Sequence, residues 1–172
     1  MDVVPLKDAK ITTGRITNGI NAATGQFPWQ AIINGSNGTI VEQCGGSIIS
    51  NQWILTAAHC VAGFNTFQVG LGSIYLNAQS LTITTTTYII HPNYNANTLN
   101  HDIALIRLPV TLTFDCNIYI YGFLIIAFVN SFLIQISATI RSIRLPTLTQ
   151  SITTFVNAIT TVSGFGRTVD GS

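Results

Sequence analysis

The feature that most constrains this chain is its texture from Ile16 onward, where short runs rich in Ile, Val and Thr alternate with Gly, Asn and Pro. β-Branched residues favour strands because they pack well on a pleated surface, whereas Gly, Asn and Pro favour turns. No stretch before residue 115 keeps a helical period, so the chain is predicted to be all-β. The predicted strands are Trp29–Ile33, Thr39–Gln43, Gly46–Ile49, Trp53–Ala57, Phe67–Leu71, Leu81–Tyr88, Ile103–Leu108 and Phe155–Ser163.

Charge is scarce in this sequence. Only 8% of the residues are charged and the net charge is +1, whereas an average soluble domain is about 25% charged. The low charge and high apolar content exclude an intrinsically disordered chain. The Lys and Arg residues are few and scattered, so nucleic-acid binding is not expected. Between Glu42 and Asp102 there is no Asp, Glu, Lys or Arg, which leaves Asp102 as an isolated carboxylate.

Two segments carry residue types that chemistry could use. In Cys44–Cys60, two cysteines enclose a Gly-Gly turn and apolar strands, and His59 stands beside the second cysteine among small neighbours. In Asn100–Leu108, Asp102 leads directly into an apolar strand, where a partly buried carboxylate needs hydrogen-bond donors. Asp102 is either a surface turn residue or the acceptor of a hydrogen bond from His59, which would set the tautomer of the imidazole.

Other residues are less specific. Arg15–Ile16 has the form of a tryptic cleavage site, although the dipeptide is common. His91 and His101 are interpreted as loop residues. Asn34 and Asn37 each begin an N-x-S/T sequon, and their glycosylation stays open. Scattered histidines without paired carboxylates give no reason to expect a metal or another cofactor.

The segments RITNG, GQFPWQ, CGGSIIS, WILTAAHC, HPNYN, HDIALIRL, IRLP and SGFG, in this order, resemble the chymotrypsin/trypsin-like serine proteases of insect digestive type. The likeness covers Gly14–Leu112 and resumes near Ile140–Thr168. It implies an all-β, chymotrypsin-like double β-barrel with an active site at the junction of the barrels. It also implies that His59 is the general base, Asp102 its orienting carboxylate, and Cys44–Cys60 a disulfide.

The resemblance further implies a secreted zymogen, although no secretory signal is visible in the sequence. A trypsin-like protease would cleave after Arg15 and free Ile16 as a new N-terminus. Residues 1–15 are then a leader or activation peptide, and residues 16–172 an incomplete peptidase domain. We expect a monomer that acts on proteins or peptides, with no nucleic-acid partner and no membrane role. Trypsin-, chymotrypsin- and elastase-like cleavage are all compatible with these residues.

The sequence departs from the family in two places. The first is the nucleophile, because the family's GDSGGP segment is absent from the 172 residues, and Ser163 and Ser172 lack its context. We expect the first barrel to be present, the second to be truncated, and this polypeptide to be inactive and poorly soluble because unpaired strand edges aggregate. A non-catalytic homologue that acts as a binding or regulatory module is the alternative function.

The second departure is an atypical apolar insert at about 115–138, which brings the odd cysteine Cys116. Residues 117–136 are nearly all apolar and rich in residues with A/T-rich codons. We expect a translated intron here. A genuine hydrophobic loop is the second interpretation and a membrane span the third, since the flanking residues on both sides are typical of one soluble barrel.

Overall fold

A computed structural model describes residues 19–114, 139–151 and 158–165. Its strands are β1 (Gln30–Ser36), β2 (Val41–Ile48), β3 (Trp53–Thr56), β4 (Thr66–Leu71), β5 (Leu81–Thr85), β6 (Tyr88–Ile90) and β7 (Ala104–Arg107), and its helix is α1 (Leu148–Ser151). The strands form one antiparallel sheet in the order β5-β4-β1-β2-β3-β7-β6. The prediction of an all-β fold is confirmed.

The sheet closes on itself because both of its edges belong to one segment of chain. β5 pairs with β4 through Phe67↔Thr85, while β6 pairs with β7 through Tyr88↔Ile106. Only Thr86–Thr87 separates β5 from β6. The Thr85 hydroxyl donates a 2.7 Å hydrogen bond to the carbonyl of Arg107, which ties the bend to β7. A closed barrel leaves no long unpaired edge.

The interior of the barrel is filled by aliphatic side chains. Ile33, Ile54 and Ile106 come from three different strands and are fully buried. Leu112 and Ile140 belong to the same core cluster, although they lie on opposite sides of residues 115–138. The buried members of this cluster are Ala31, Ile33, Ile48, Ile54, Ala58, Val61, Phe64, Phe67, Val69, Leu71, Ile83, Ala104, Ile106, Leu108, Leu112 and Ile140.

Close packing at β2 depends on Gly46, the second glycine of the Cys-Gly-Gly motif. A Cβ atom at this position would lie 2.8 Å from side-chain carbons of both Ile33 and Ile54. Any larger residue would therefore push these core side chains out of place. Gly46 therefore has a structural role, because its lack of a side chain lets β2 pack directly against the core.

Several predicted strands differ from the strands of the structure. The predicted strand Leu81–Tyr88 is interrupted between β5 and β6, because the segment turns from one edge of the barrel to the other. Thr39–Gln43 and Gly46–Ile49 are not separate, since Gly45 and Gly46 keep the ladder with β1 in register. Of Phe155–Ser163, residues 158–163 form no strand.

Several predictions fall outside the described residues. They concern the leader, the cleavage site Arg15 and Ile16, the apolar insert with Cys116, and Ser172. Within the described ranges, no helix has the length and apolar character needed to cross a membrane.

Candidate active site

The pairing of β3 with β7 brings His59 and Asp102 together. The two strands are antiparallel with Thr56 opposite Ala104, so the residues after β3 lie beside the residues before β7. His59 follows Thr56 in a tight turn in which the amide of Cys60 donates to the carbonyl of Ala57. Residues 43 positions apart in sequence thus meet at one end of the barrel.

Asp102 holds His59 through two atoms of its carboxylate. Oδ2 lies 2.7 Å from the Nδ1 atom of the His59 ring, and Oδ1 accepts a 2.8 Å hydrogen bond from the His59 backbone amide. The second bond fixes the backbone that carries the ring, so the ring position does not depend on one contact alone. The Asp102 side chain is 21% exposed and that of His59 is 46% exposed.

The charge of Asp102 is stabilised by these donors. Its pKa lies below the ordinary aspartate value, first because of the side-chain hydrogen bond from His59 and then because of the His59 backbone amide. The charge on His59 and the backbone amide of Ala58 lower the pKa further, while partial burial opposes them. A carboxylate that stays ionised favours the tautomer of His59 with its proton on Nδ1, which leaves Nε2 as the basic nitrogen.

The disulfide that the resemblance implied is present. Cys44 of β2 and Cys60 are bonded, with a Cα–Cα distance of 6.0 Å. Beside it, the buried hydroxyl of Thr56 donates a 2.9 Å hydrogen bond to the carbonyl of Gly45. The disulfide therefore ties the turn that carries His59 to β2, and the hydrogen bond ties the end of β3 to the same strand.

Sequence reasoning missed how the loop before Asp102 is built. The rings of His91 and His101 are stacked, with centroids 4.7 Å apart and planes 8° apart. Leu99 and His101 have φ angles of 54° and 57°, a left-handed conformation that residues other than glycine rarely adopt. Hence the interpretation of both histidines as loop residues was right, but their packing on each other had no signal in the sequence.

Within the described ranges, one group of side chains has the residue types that bind metals, and it lies at the disulfide beside His59. Ligand atoms of Cys44, His59 and Cys60 lie within 4.8 Å of one another. Both sulfur atoms are used in the disulfide, so neither is available as the thiolate that metals bind. The cluster therefore has the chemistry of a disulfide beside a histidine, not of a metal centre.

Ser163 lies next to strand β1 through a side-chain hydrogen bond. Its hydroxyl donates a 2.9 Å hydrogen bond to the Oε1 atom of Gln30. The residue lines a cleft of about 470 Å³, together with residues of the 72–78 loop. That Ser163 is not the nucleophile stays a prediction from the sequence.

Comparison with known proteins decides the family. The trypsin family model matches residues 16–172. The chain belongs to the trypsin family. It is therefore related to the chymotrypsin-like serine proteases, as the motifs indicated.

Several individual proteins are similar to the chain. A collagenase of Hypoderma lineatum is 34% identical over 167 residues, which are 95% of this chain and 54% of the relative. Brachyurin of Leptuca pugilator is 39% identical over 62% of this chain and 47% of the relative. Trypsin delta of Drosophila melanogaster is 37% identical over 63% of this chain and 43% of the relative. The chain thus spans about half the length of the curated relatives it matches.

The fold agrees with this assignment. The solved structure of HL collagenase superposes with a TM-score of 0.61 at 32% identity, over 77% of this chain and 48% of the collagenase chain. The chymotrypsin-like fold class is therefore confirmed for this trypsin-family chain.

Proposed function

We propose that this chain supplies the general base and the orienting carboxylate of a secreted serine endopeptidase. The observation that carries the proposal is the double contact of Asp102 with the ring and the backbone of His59. A protein that only binds a partner does not need an ionised carboxylate that is hydrogen-bonded to a half-exposed histidine. Family membership supports proteins or peptides as substrates.

The geometry suits proton transfer in acyl transfer chemistry. With its Nδ1 proton held by Asp102, His59 uses Nε2 to accept the proton of a serine hydroxyl as that oxygen attacks the scissile carbonyl. The same nitrogen then returns the proton to the leaving amine. Asp102 stays ionised and stabilises the imidazolium that forms between these steps.

The serine itself would come from a GDSGGP segment, by resemblance to the family. The 172 residues contain no such segment. We therefore propose that this polypeptide by itself does not hydrolyse peptide bonds, because His59 has no hydroxyl to deprotonate.

Activation by cleavage after Arg15 is part of the proposal. The family match begins at Ile16, the residue that such a cleavage would release, and this supports a boundary between residues 1–15 and the peptidase domain. The activating enzyme would be a trypsin-like protease, because the bond follows an arginine. Secretion is supported by the Cys44–Cys60 disulfide, since disulfides persist in oxidising compartments.

The segment at about 115–138 is proposed to be foreign to the peptidase fold. Leu112 and Ile140 are both about 3% exposed and pack in one core. Beyond the segment, the amides of Arg141 and Ile143 donate to the carbonyls of Pro28 and Ile48, so the chain is again bound to the barrel. These contacts support the translated-intron hypothesis, and an in-frame copy of the segment in the major transcript would contradict it.

The test compares two polypeptides, the 172 residues alone and the open reading frame of the sequenced transcript. We expect a frame that encodes GDSGGP, and a product whose hydrolysis of a peptide ester falls by about 10⁶-fold in kcat in the His59→Ala variant. The control is Thr84→Ala, which shortens an exposed side chain of β5, a strand that does not pair with β3 or β7, and should retain activity.

Two results would count against the proposal. Hydrolysis by the 172-residue polypeptide that His59→Ala abolishes would contradict its inactivity. A transcript that encodes a residue other than serine at the nucleophile position would instead favour the non-catalytic homologue.

A further inference from the structure

Two glycosylation motifs lie three residues apart at the β1–β2 hairpin. Asn34-Gly35-Ser36 lies within strand β1, whereas Asn37-Gly38-Thr39 forms the turn that follows it. Both motifs satisfy the N-x-S/T rule with a residue other than proline in the middle. Their structural environments differ, so the two asparagines are not equivalent acceptors.

Asn37 is exposed at the tip of the hairpin. Its Oδ1 atom accepts hydrogen bonds from the backbone amides of Thr39 and Ile40, at 3.1 and 2.9 Å. Its Nδ2 atom donates to the carbonyl of Gly63 at 3.3 Å, which uses one of the two hydrogens on this nitrogen. The second hydrogen is available for replacement by a sugar.

The neighbouring residue confirms that the tip is uncrowded. Gly38 has a φ angle of 89°, and a Cβ atom built on it would meet nothing within 4 Å. Residues 37–40 are all exposed. A bulky, hydrated substituent on Asn37 therefore displaces no packed side chain.

Asn34 has the opposite surroundings. Its strand β1 lies between β2 and β4, and Asn34 is paired in register with Gln43 on one side and Gln68 on the other. Its Oδ1 atom accepts a 3.2 Å hydrogen bond from the Gln43 side chain, and the residue is half-buried. A glycan here would have to stand in the middle of the sheet, between two long side chains.

We propose that Asn37 is an N-glycosylation site and that Asn34 remains unmodified. In the reaction, Asn37 Nδ2 attacks C1 of an oligosaccharide carried on a polyprenyl pyrophosphate. The N–C1 bond forms, the bond from C1 to the pyrophosphate oxygen breaks, the polyprenyl pyrophosphate leaves, and one Nδ2 proton is lost. The proposal rests on the proposed secretion, because this transfer takes place in the secretory pathway.

The glycan would stand next to exposed apolar residues. Ile40 and Val41 are 57% and 68% exposed and directly follow the acceptor turn. Gly63, the partner of the Asn37 amide, lies shortly after His59 and Cys60 in the chain. The sugar therefore shields the exposed apolar residues of the hairpin tip.

The experiment places the 172-residue chain behind a heterologous signal sequence and translates it in the presence of endoplasmic-reticulum microsomes. The readout is the gel shift of the protease-protected chain with and without peptide N-glycosidase. We expect a shift of one glycan for the wild type, loss of the shift in Asn37→Gln and Thr39→Ala, and an unchanged shift in the matched controls Asn34→Gln and Ser36→Ala.

The proposal is overturned if the protected wild-type chain has no shift, if it carries two glycans, or if Asn34→Gln is the variant that loses the shift. The supplied signal sequence makes this result independent of the proposed function. Failure of the protease or secretion proposals would appear in the transcript and activity assays, while the acceptor site would be judged by the gel shift alone.

Discussion

The barrel of residues 30–108 and the described residues after 139 differ in how they bury apolar side chains. Phe67, Val69 and Leu71 of β4 are fully buried, whereas Ile159 is fully exposed and Val162 is 77% exposed. Each barrel strand pairs with at least one neighbour, and five of the seven pair on both sides, whereas residues 158–165 include no strand. The barrel fills its core with its own side chains and with Leu112 and Ile140, whereas the apolar side chains of Ile159 and Val162 are not covered by the described residues.

The candidate site lies in the barrel. His59 and Asp102 are brought together by the β3–β7 register, and the Cys44–Cys60 disulfide ties the His59 turn to β2. None of these contacts involves residues after 139. The base and its carboxylate can therefore be in place wherever the first barrel folds.

The largest expected effect is on the free energy of unfolding, which should fall in a barrel variant but not in a variant of the residues after 139. Phe67 is buried and packs edge-to-face on Tyr88 with ring centroids 5.2 Å apart. Phe67→Ala should lower the free energy of unfolding by about 3–5 kcal/mol. Val162→Ala, the matched truncation of an exposed apolar residue, should change it by less than about 0.5 kcal/mol. Urea unfolding measures the free energy of unfolding of both variants. Equal decreases in the two variants would contradict the difference between the regions.

The next effect concerns the disulfide. The bond closes a loop with a sequence separation of 16, and its loss in the double variant Cys44→Ala/Cys60→Ala should cost about 3 kcal/mol. Denaturant midpoints with and without a reducing agent provide the measurement. Cys116→Ala is the control and should keep the sensitivity to reductant. A wild type indifferent to reductant would show that the His59 turn does not need the bond.

The smallest effect is the dependence of stability on pH. Because the pKa of Asp102 is lower in the folded than in the unfolded chain, the folded state binds fewer protons in the interval between the two values. Its stabilisation is complete above the unfolded pKa, about 3.9, and is lost as the pH falls through the folded pKa. Asp102→Asn should remove this loss from the acid limb of the stability curve.

Unfolding free energies measured from pH 6 downward test this expectation, and Glu42→Gln is the matched control for removal of an exposed carboxylate. The control should keep the acid limb of the wild type. Parallel curves for the wild type and Asp102→Asn would contradict a stabilised Asp102 carboxylate.

Much of the site could be predicted from the sequence, because its signals are local and chemically distinctive. The position of His59 beside a cysteine and that of Asp102 after a long uncharged stretch made both residues candidates, and the family resemblance implied their roles. The family resemblance supplied the pairing of Cys44 with Cys60. The rest depended on long-range contacts: the bend at Thr86–Thr87 exists because one segment closes the barrel, which no local pattern of threonines reveals.

The missed features have the same origin. Phe155–Ser163 has strand-forming residues, yet residues 158–163 form no strand, because propensity needs a neighbouring strand to pair with. The left-handed backbone of Leu99 and His101 is set by the loop around them and not by their own preferences. Sequence thus predicted which residues meet in the site, but not the backbone that brings Asp102 to it.

The most direct test of the central claim is the position of the proton on the His59 ring. Nitrogen NMR of the purified protein labelled with ¹⁵N-histidine, at a pH where His59 is neutral, distinguishes the two tautomers. The hydrogen bond between Nδ1 and Asp102 predicts a proton on Nδ1 and a free Nε2, with loss of this preference in Asp102→Asn. A proton on Nε2 in the wild type, or a spectrum that Asp102→Asn leaves unchanged, would contradict the account.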